Sequence, residues 1–309
     1  MKDYGPDALI QAAQERSGLS NDEFSQVLVD ELYRKIRDSM NDREWETFLG
    51  CLHQVDVGKI KPETIQAFLE MIRNKYPTLT AFTIAEVIAE TIDVGCQPQS
   101  ILSFNAERLL YSLTNLIIVQ RRIDMGIDPE RAGSLTRQLD LVTHSTSSRI
   151  ASRIPYFMCH GALPVPTKRR VPARESIDKL VFSESSYLQL ANSAFSWQSS
   201  VFLEAAITRH IIFIGMSMSD SNVRRWLGWA HENRTREIAG LGRTGPSTHH
   251  YWIRRAPSTT AERSWIESSV AHLGIRLVWI PSWGDVGQAL RTMVGLPMVR
   301  SAHKRPILA

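Results

Sequence analysis

The stretch Ile211-Ile212-Phe213-Ile214-Gly215-Met216-Ser217-Met218-Ser219-Asp220-Ser221-Asn222 decides how this chain is read. Ile211–Ile214 is its strongest strand signal, a short continuous apolar run closed by glycine. Such a run suits a strand covered on both faces. Gly215 then allows a sharp turn, and a helical pattern runs over Asn222–Glu232. Strand, glycine turn and helix in that order make a βα unit. In a doubly wound sheet, ligands sit beyond the carboxyl ends of the strands. Gly215 and Ser217 would let backbone approach a nucleotide, and free N–H groups at the helix start would attract an anion. A tight turn with Asp220 as N-cap accounts for the same residues.

Working outward, Ser100–Phe104, Ile154–Cys159, Lys179–Phe182, Thr248–Ile253 and Ile275–Ile280 read as further strands. They alternate with helical patterns, one of them through Leu109, Leu110 and Leu113. The alternation predicts an α/β fold with a mostly parallel sheet covered on both faces. The first 95 residues read as helical. Phe24, Val27, Leu28, Leu32 and Ile36 fall at helical spacing, as do Ile65, Phe68, Leu69 and Ile72, and Thr80–Ile92 makes another helix. The expected organisation is a helical region over 1–95, a sheet-bearing core over 96–300 and a tail over 301–309. Pro164–Asp178 and Gly240–Ser247 read as exposed loops.

The 309 residues are 43% hydrophobic and 22% charged, which excludes a disordered, collagen-like or coiled-coil chain. The net charge of +4 is small for this length, so charge does not indicate a nucleic-acid binder. The run Lys168–Arg174 is a weak nucleic-acid signal, and direct binding is not expected. No apolar run is long enough to span a membrane, and the N-terminus does not read as a secretory signal. Cys51, Cys96 and Cys159 are widely spaced, which excludes a disulfide framework and a cysteine zinc ribbon. A reduced, cytoplasmic setting is expected.

The strand ends carry the candidate chemistry. Ser103, Phe104, Asn105 and Glu107 follow the first strand, and His160-Gly161 follows the second. His160 could act as a general base, with Gly161 leaving room beside it, or be structural. Asn105 could orient a water or a ribose hydroxyl, or cap the next helix. Trp226/Trp229 and Leu203/Ile207 read as core, and Arg224-Arg225 as a solvated face. His249-His250, adjacent on a strand, should point to opposite faces, which argues against a joint metal site.

Taken together, these segments resemble the sirtuin-like NAD-consuming family in its bacterial branch. Ser103–Leu110 looks like its T-x-N-Y-D-x-L-L segment, and Tyr156–Gly161 like its H-G strand. Leu180–Tyr187 looks like the segment that follows. Phe213–Arg224 looks like F-I-G-x-S-x-x-D-x-N-x-R, the most specific part, and Leu273–Trp279 like the last strand. The resemblance covers about residues 75–295 and implies a Rossmann-like fold. It implies NAD as substrate, cleaved between nicotinamide and ribose, with His160 and Asn105 as the catalytic positions. Gly215 and Ser217 would contact the nucleotide. Ser103, Phe104, Glu107, Gly161, Asp220 and Asn222 are assigned to NAD binding on the same basis. Bacterial members of this branch often act as NAD hydrolases in anti-phage defence, commonly as oligomers or with a partner protein, so a homo-oligomer or a defence partner is expected.

Two departures stand out. Nothing in Met1–Gly50 matches the family's glycine-rich G-A-G-x-S loop, so the chain is expected to begin downstream of the family's first strand. Ala106-Glu107 stands where the family has Tyr-Asp. Three dispersed cysteines cannot build the four-cysteine zinc module of sirtuin deacylases, so zinc is not expected and NAD hydrolysis is favoured over deacylation. The alternative is a catalytically degenerate sirtuin-like module serving oligomer assembly or partner docking.

Overall fold

A computed structural model describes residues 6–53, 60–128, 131–132, 139–145, 152–163, 165–166, 196–243 and 249–297. In chain order the elements are α1 (Pro6–Ser17), α2 (Asn21–Asp38), α3 (Asp42–His53), α4 (Pro62–Lys75), α5 (Thr80–Asp93), β1 (Ile101–Ser103), α6 (Leu109–Asp124), β2 (Leu139–Val142), β3 (Ile154–Met158), α7 (Trp197–Thr208), β4 (Ile212–Ile214), α8 (Ser221–Gly240), β5 (His250–Arg255), α9 (Thr260–Ala271), β6 (Ile275–Ile280) and α10 (Val286–Met293). Among the described residues every strand pairing is parallel, and a helical region precedes the first strand. This is a Rossmann-like α/β fold. No helix among the described residues is long and apolar enough to cross a membrane. The expected strand at Lys179–Phe182, the segment to Tyr187 and the run Lys168–Arg174 lie outside the described residues.

The chain divides into two compact units. Unit 1 holds Met1–Pro77 and Pro98–Phe202, and unit 2 holds Thr78–Gln97 and Leu203–Ala309. The helical stretch at the N-terminus is thus shared, with α5 assigned to unit 2.

In unit 1, local signals set the helix starts. Ser20 and Glu23 form a reciprocal capping box at α2: the Glu23 N–H donates to the Ser20 hydroxyl, and the Ser20 N–H to the Glu23 carboxylate at 3.0 Å. Pro62 opens α4, where its missing N–H costs nothing. The helices pack on an aromatic core in which Phe48 stacks on Trp45 and packs against Phe68. Helix α2 buries Phe24, Val29 and Tyr33, whereas Val27 and Leu32 of its expected stripe are exposed. Tyr111–Val119 of α6 is buried without interruption, as befits a helix covered all round. The sheet order is β1-β3-β2, with Ile101 opposite Tyr156 and Leu139 opposite Ile154.

In unit 2 the order is β4-β5-β6. Ile253, Ile280, Val286, Leu290 and Leu296 form its core together with Val87 of α5. Gly287 at the start of α10 faces α5 so closely that an added Cβ would overlap the Thr83 methyl. Gly287→Ala should therefore destabilise unit 2 by about 1–3 kcal/mol, the usual cost of overpacking. Urea denaturation would measure it. Combining it with Thr83→Ser, which removes the methyl, should recover most of the loss.

Trp226 is buried as expected, but Trp229 is 49% exposed and Ile207 is 48% exposed, so neither is core. Trp229 lies on the outer face of α8, where the Arg225 guanidinium covers its ring.

Candidate functional site

In unit 1 the carboxyl ends of two adjacent parallel strands bring the expected residues together. The Cys159 N–H donates to the Ser103 carbonyl at 2.8 Å, and the Leu163 N–H to the Ala106 carbonyl at 2.8 Å. These bonds tie the segment Ser103–Glu107 beyond β1 to the segment His160–Leu163 beyond β3. Gly161 takes a φ of +79°, and its N–H closes a turn onto the Met158 carbonyl at 3.0 Å. That left-handed residue turns the chain immediately after His160.

His160 is half-buried, and the Phe104 ring meets its imidazole edge-on at 5.2 Å. Phe104 in turn packs against Phe202 of α7. The imidazole thus rests on an aromatic wall that limits its rotation. Asn105 is exposed, and its N–H donates to the Ser103 hydroxyl at 3.3 Å. The Ser103 hydroxyl donates back to the Asn105 carbonyl at 3.2 Å. This small turn commits the Asn105 backbone and presents its amide to solvent. Asn105 is not the cap of α6. That place is Arg108, and the Glu107 carboxylate accepts the Leu109 N–H instead.

Burial pushes the Glu107 carboxyl above its ordinary value, opposed by the Leu109 N–H. Burial likewise raises the Tyr33 and Tyr156 hydroxyls, with the Glu107 charge adding to it. Cys159 is no nucleophile for its neighbour His160: burial pushes its thiol up to about 12, and it donates weakly to the Phe157 carbonyl.

The remaining expected residues lie in unit 2, beyond β4. Gly215 takes a φ of +72°, and open space surrounds the position of a Cβ there. Ser217 and Ser219 share a hydroxyl hydrogen bond at 2.6 Å. Met218 between them is buried with φ +56°, an uncommon conformation for a side-chain-bearing residue. Asp220 is the N-cap of α8: its carboxylate accepts the Asn222 N–H at 2.8 Å and the Val223 N–H at 3.2 Å. Two of the helix's leading amides are therefore already engaged. Asn222 is buried and accepts from Arg225 at 3.0 Å.

Two braces of this loop escape a pattern reading. The Trp252 indole N–H donates to the Met216 carbonyl at 3.1 Å. Arg224 is not a solvated side chain: it donates to the Met218 carbonyl at 3.3 Å and to the Ser269 carbonyl of α9 at 3.0 Å. Its place at the end of the F-I-G-x-S-x-x-D-x-N-x-R stretch was the available signal.

His249 and His250 also depart from the alternation expected of a strand. Their ring centroids lie 4.7 Å apart. The reason is that His249 precedes β5, which begins at His250, so the pleat does not separate them. No group of His, Cys, Asp and Glu suited to a metal ion occurs among the described residues.

Parallel strands with polar residues beyond their carboxyl ends belong to an α/β class of protein whose ligands are commonly taken at those ends. Residues 130–276 match the family model of the SIR2-like domain. The match supports a sirtuin-like family and fits an NAD-related function. It includes His160, Gly161, Gly215, Ser217, Asp220 and Asn222, and stops short of Ser103–Glu107. No curated protein matches the chain.

Proposed function

We propose that the chain is an NAD glycohydrolase, releasing nicotinamide and ADP-ribose, with His160 as general base and Asn105 as orienting group. The observation that carries it is the joining of an exposed amide and a wall-mounted imidazole beyond two adjacent parallel strands. In this reaction water attacks the anomeric carbon of the ribose. The bond to nicotinamide breaks with its electron pair going to the pyridinium nitrogen, which becomes neutral. His160 takes the proton that the water sheds. Positive charge grows on the ribose before the new bond is complete, so holding the water and the ribose in place counts most. Asn105, with its backbone fixed by Ser103, has its amide free to do so. The Gly215–Ser217 turn is assigned to the nucleotide, since a bare Cα permits close backbone approach. The resemblance adds bacterial anti-phage defence, as an oligomer or with a partner protein, as the setting.

The second reading is a degenerate module for assembly or docking. It is favoured by the use of both acids for structure, since Glu107 and Asp220 each hold the start of a helix. Nicotinamide release from NAD, followed by chromatography beside NAD binding by calorimetry, separates the two. Release above the buffer rate supports the hydrolase. Neither release nor binding supports the assembly module.

A further inference from the structure

At the amino ends of β4 and β5, on the opposite side of the sheet from the Gly215 turn, four histidines and an arginine are packed together. The His210 ring lies 4.4 Å from that of His249, which lies 4.7 Å from that of His250. His231 and Arg234 face them from α8.

The hydrogen bonds fix the protons. Arg234 can only donate, and its Nη1 lies 3.2 Å from His249 Nε2. His249 Nε2 is therefore an unprotonated acceptor, and the ring is neutral. The Ile211 N–H donates to His250 Nδ1 at 3.3 Å, so that nitrogen is unprotonated as well. His210 Nδ1 meets the His249 carbonyl at 2.7 Å and must donate to it. His249 is 5% exposed and His250 1% exposed. The Nδ1 atoms of His249 and His231 are buried without a well-formed hydrogen bond.

The charged groups acting on the pair are Arg234, His210 and His231, and each disfavours a proton on it. His272, at the end of α9, acts on His231 in the same sense. The Arg209 backbone alone favours a proton on His249, and the Arg209 guanidinium is paired with Glu204 at 3.0 Å. No carboxylate among the described residues compensates a proton here.

We propose that this cluster is an acid-sensitive latch: a proton on His249 or His250 expels the Arg234 or Ile211 hydrogen bond and frees the amino ends of β4 and β5. Burial, and then the cationic neighbours, hold His249 down to about 4 and His250 to about 3, against 6.5 for a free imidazole. The folded chain therefore binds fewer protons than the unfolded one below pH 6.5. Stability is full above that pH and is lost as pH falls toward 4. Because β4 has only three residues, release of its amino end reaches the Gly215 turn directly.

The test is urea denaturation of the whole chain from pH 8 to pH 5, beside the double variant His249→Gln, His250→Asn. Glutamine offers an acceptor in place of Nε2 and asparagine in place of Nδ1, and neither titrates. The two histidines should raise the unfolding constant of the wild type on the order of a thousandfold between those pH values. The variant should lack that share of the loss. Equal pH dependence in both proteins overturns the proposal. Should the variant not fold, histidine ring-proton NMR of the wild type decides. Two rings still neutral at pH 5 uphold the latch, whereas titration of all rings near 6.5 in the folded chain removes it.

Discussion

His160→Ala is expected to lower nicotinamide release by about 10²–10⁴-fold, the usual contribution of a positioned proton acceptor. The substitution removes a half-buried ring at the loop end of β3. The backbone there is held by Gly161 and by the bonds from Cys159 to Ser103 and from Leu163 to Ala106. Those bonds do not involve the imidazole, so the fold should persist. The lost contact with Phe104 should appear as a small shift in urea midpoint. His160→Gln is the more telling partner, since it keeps much of the shape and loses the basic nitrogen. Equal turnover in wild type and both variants would exclude His160 as the base.

The pattern of the chain conveyed the fold class because the strands are short apolar runs between helical stripes. Ile275–Ile280 is found with the expected bounds, and Ile211–Gly215 contains β4. The strand Leu139–Val142 went unread: its four residues include Asp140, too few and too polar for a periodic signal. Helix α5 was legible as a helix but not as part of unit 2, because membership depends on contacts with residues some two hundred positions away. Local periodicity holds no information about such partners.

The same limit applies to the site. Residue type and order pointed to Asn105 and His160, and the structure puts both beyond adjacent strands. What sequence could not convey is how each acid is engaged. Glu107 and Asp220 look alike in a motif and both hold a helix start, yet burial raises the Glu107 carboxyl whereas Asp220 is the N-cap proper. Likewise Arg224 and Arg225 are neighbours in sequence. One, half-buried, spans two carbonyls and the other covers Trp229 at the surface. Burial and partner geometry separate them, and both are tertiary properties.

Glu90→Ala is expected to destabilise unit 2 by about 3 kcal/mol, the lower end for breaking a buried ion pair. Arg291 Nη2 and Nε meet the two Glu90 carboxylate oxygens at 2.6 and 2.9 Å, a bidentate fork. The Arg291 side chain is 10% exposed and that of Glu90 22% exposed, so water screens the pair poorly. Removing the carboxylate leaves a guanidinium that cannot shed its charge in the interior between α5 and α10. Most of the loss therefore comes from the stranded cation rather than from the missing attraction. That origin has a consequence in a second variant. Glu90→Leu with Arg291→Met removes both charges while filling similar volume, and should recover most of the stability. Urea midpoints of the three proteins at pH 8, where His249 and His250 are neutral, separate this effect from acid sensitivity. A cost under about 1 kcal/mol for Glu90→Ala would mean that the pair behaves as a surface bridge. The attachment of α5 to unit 2 would then rest on the apolar packing around Val87 and the close approach of Thr83 to Gly287.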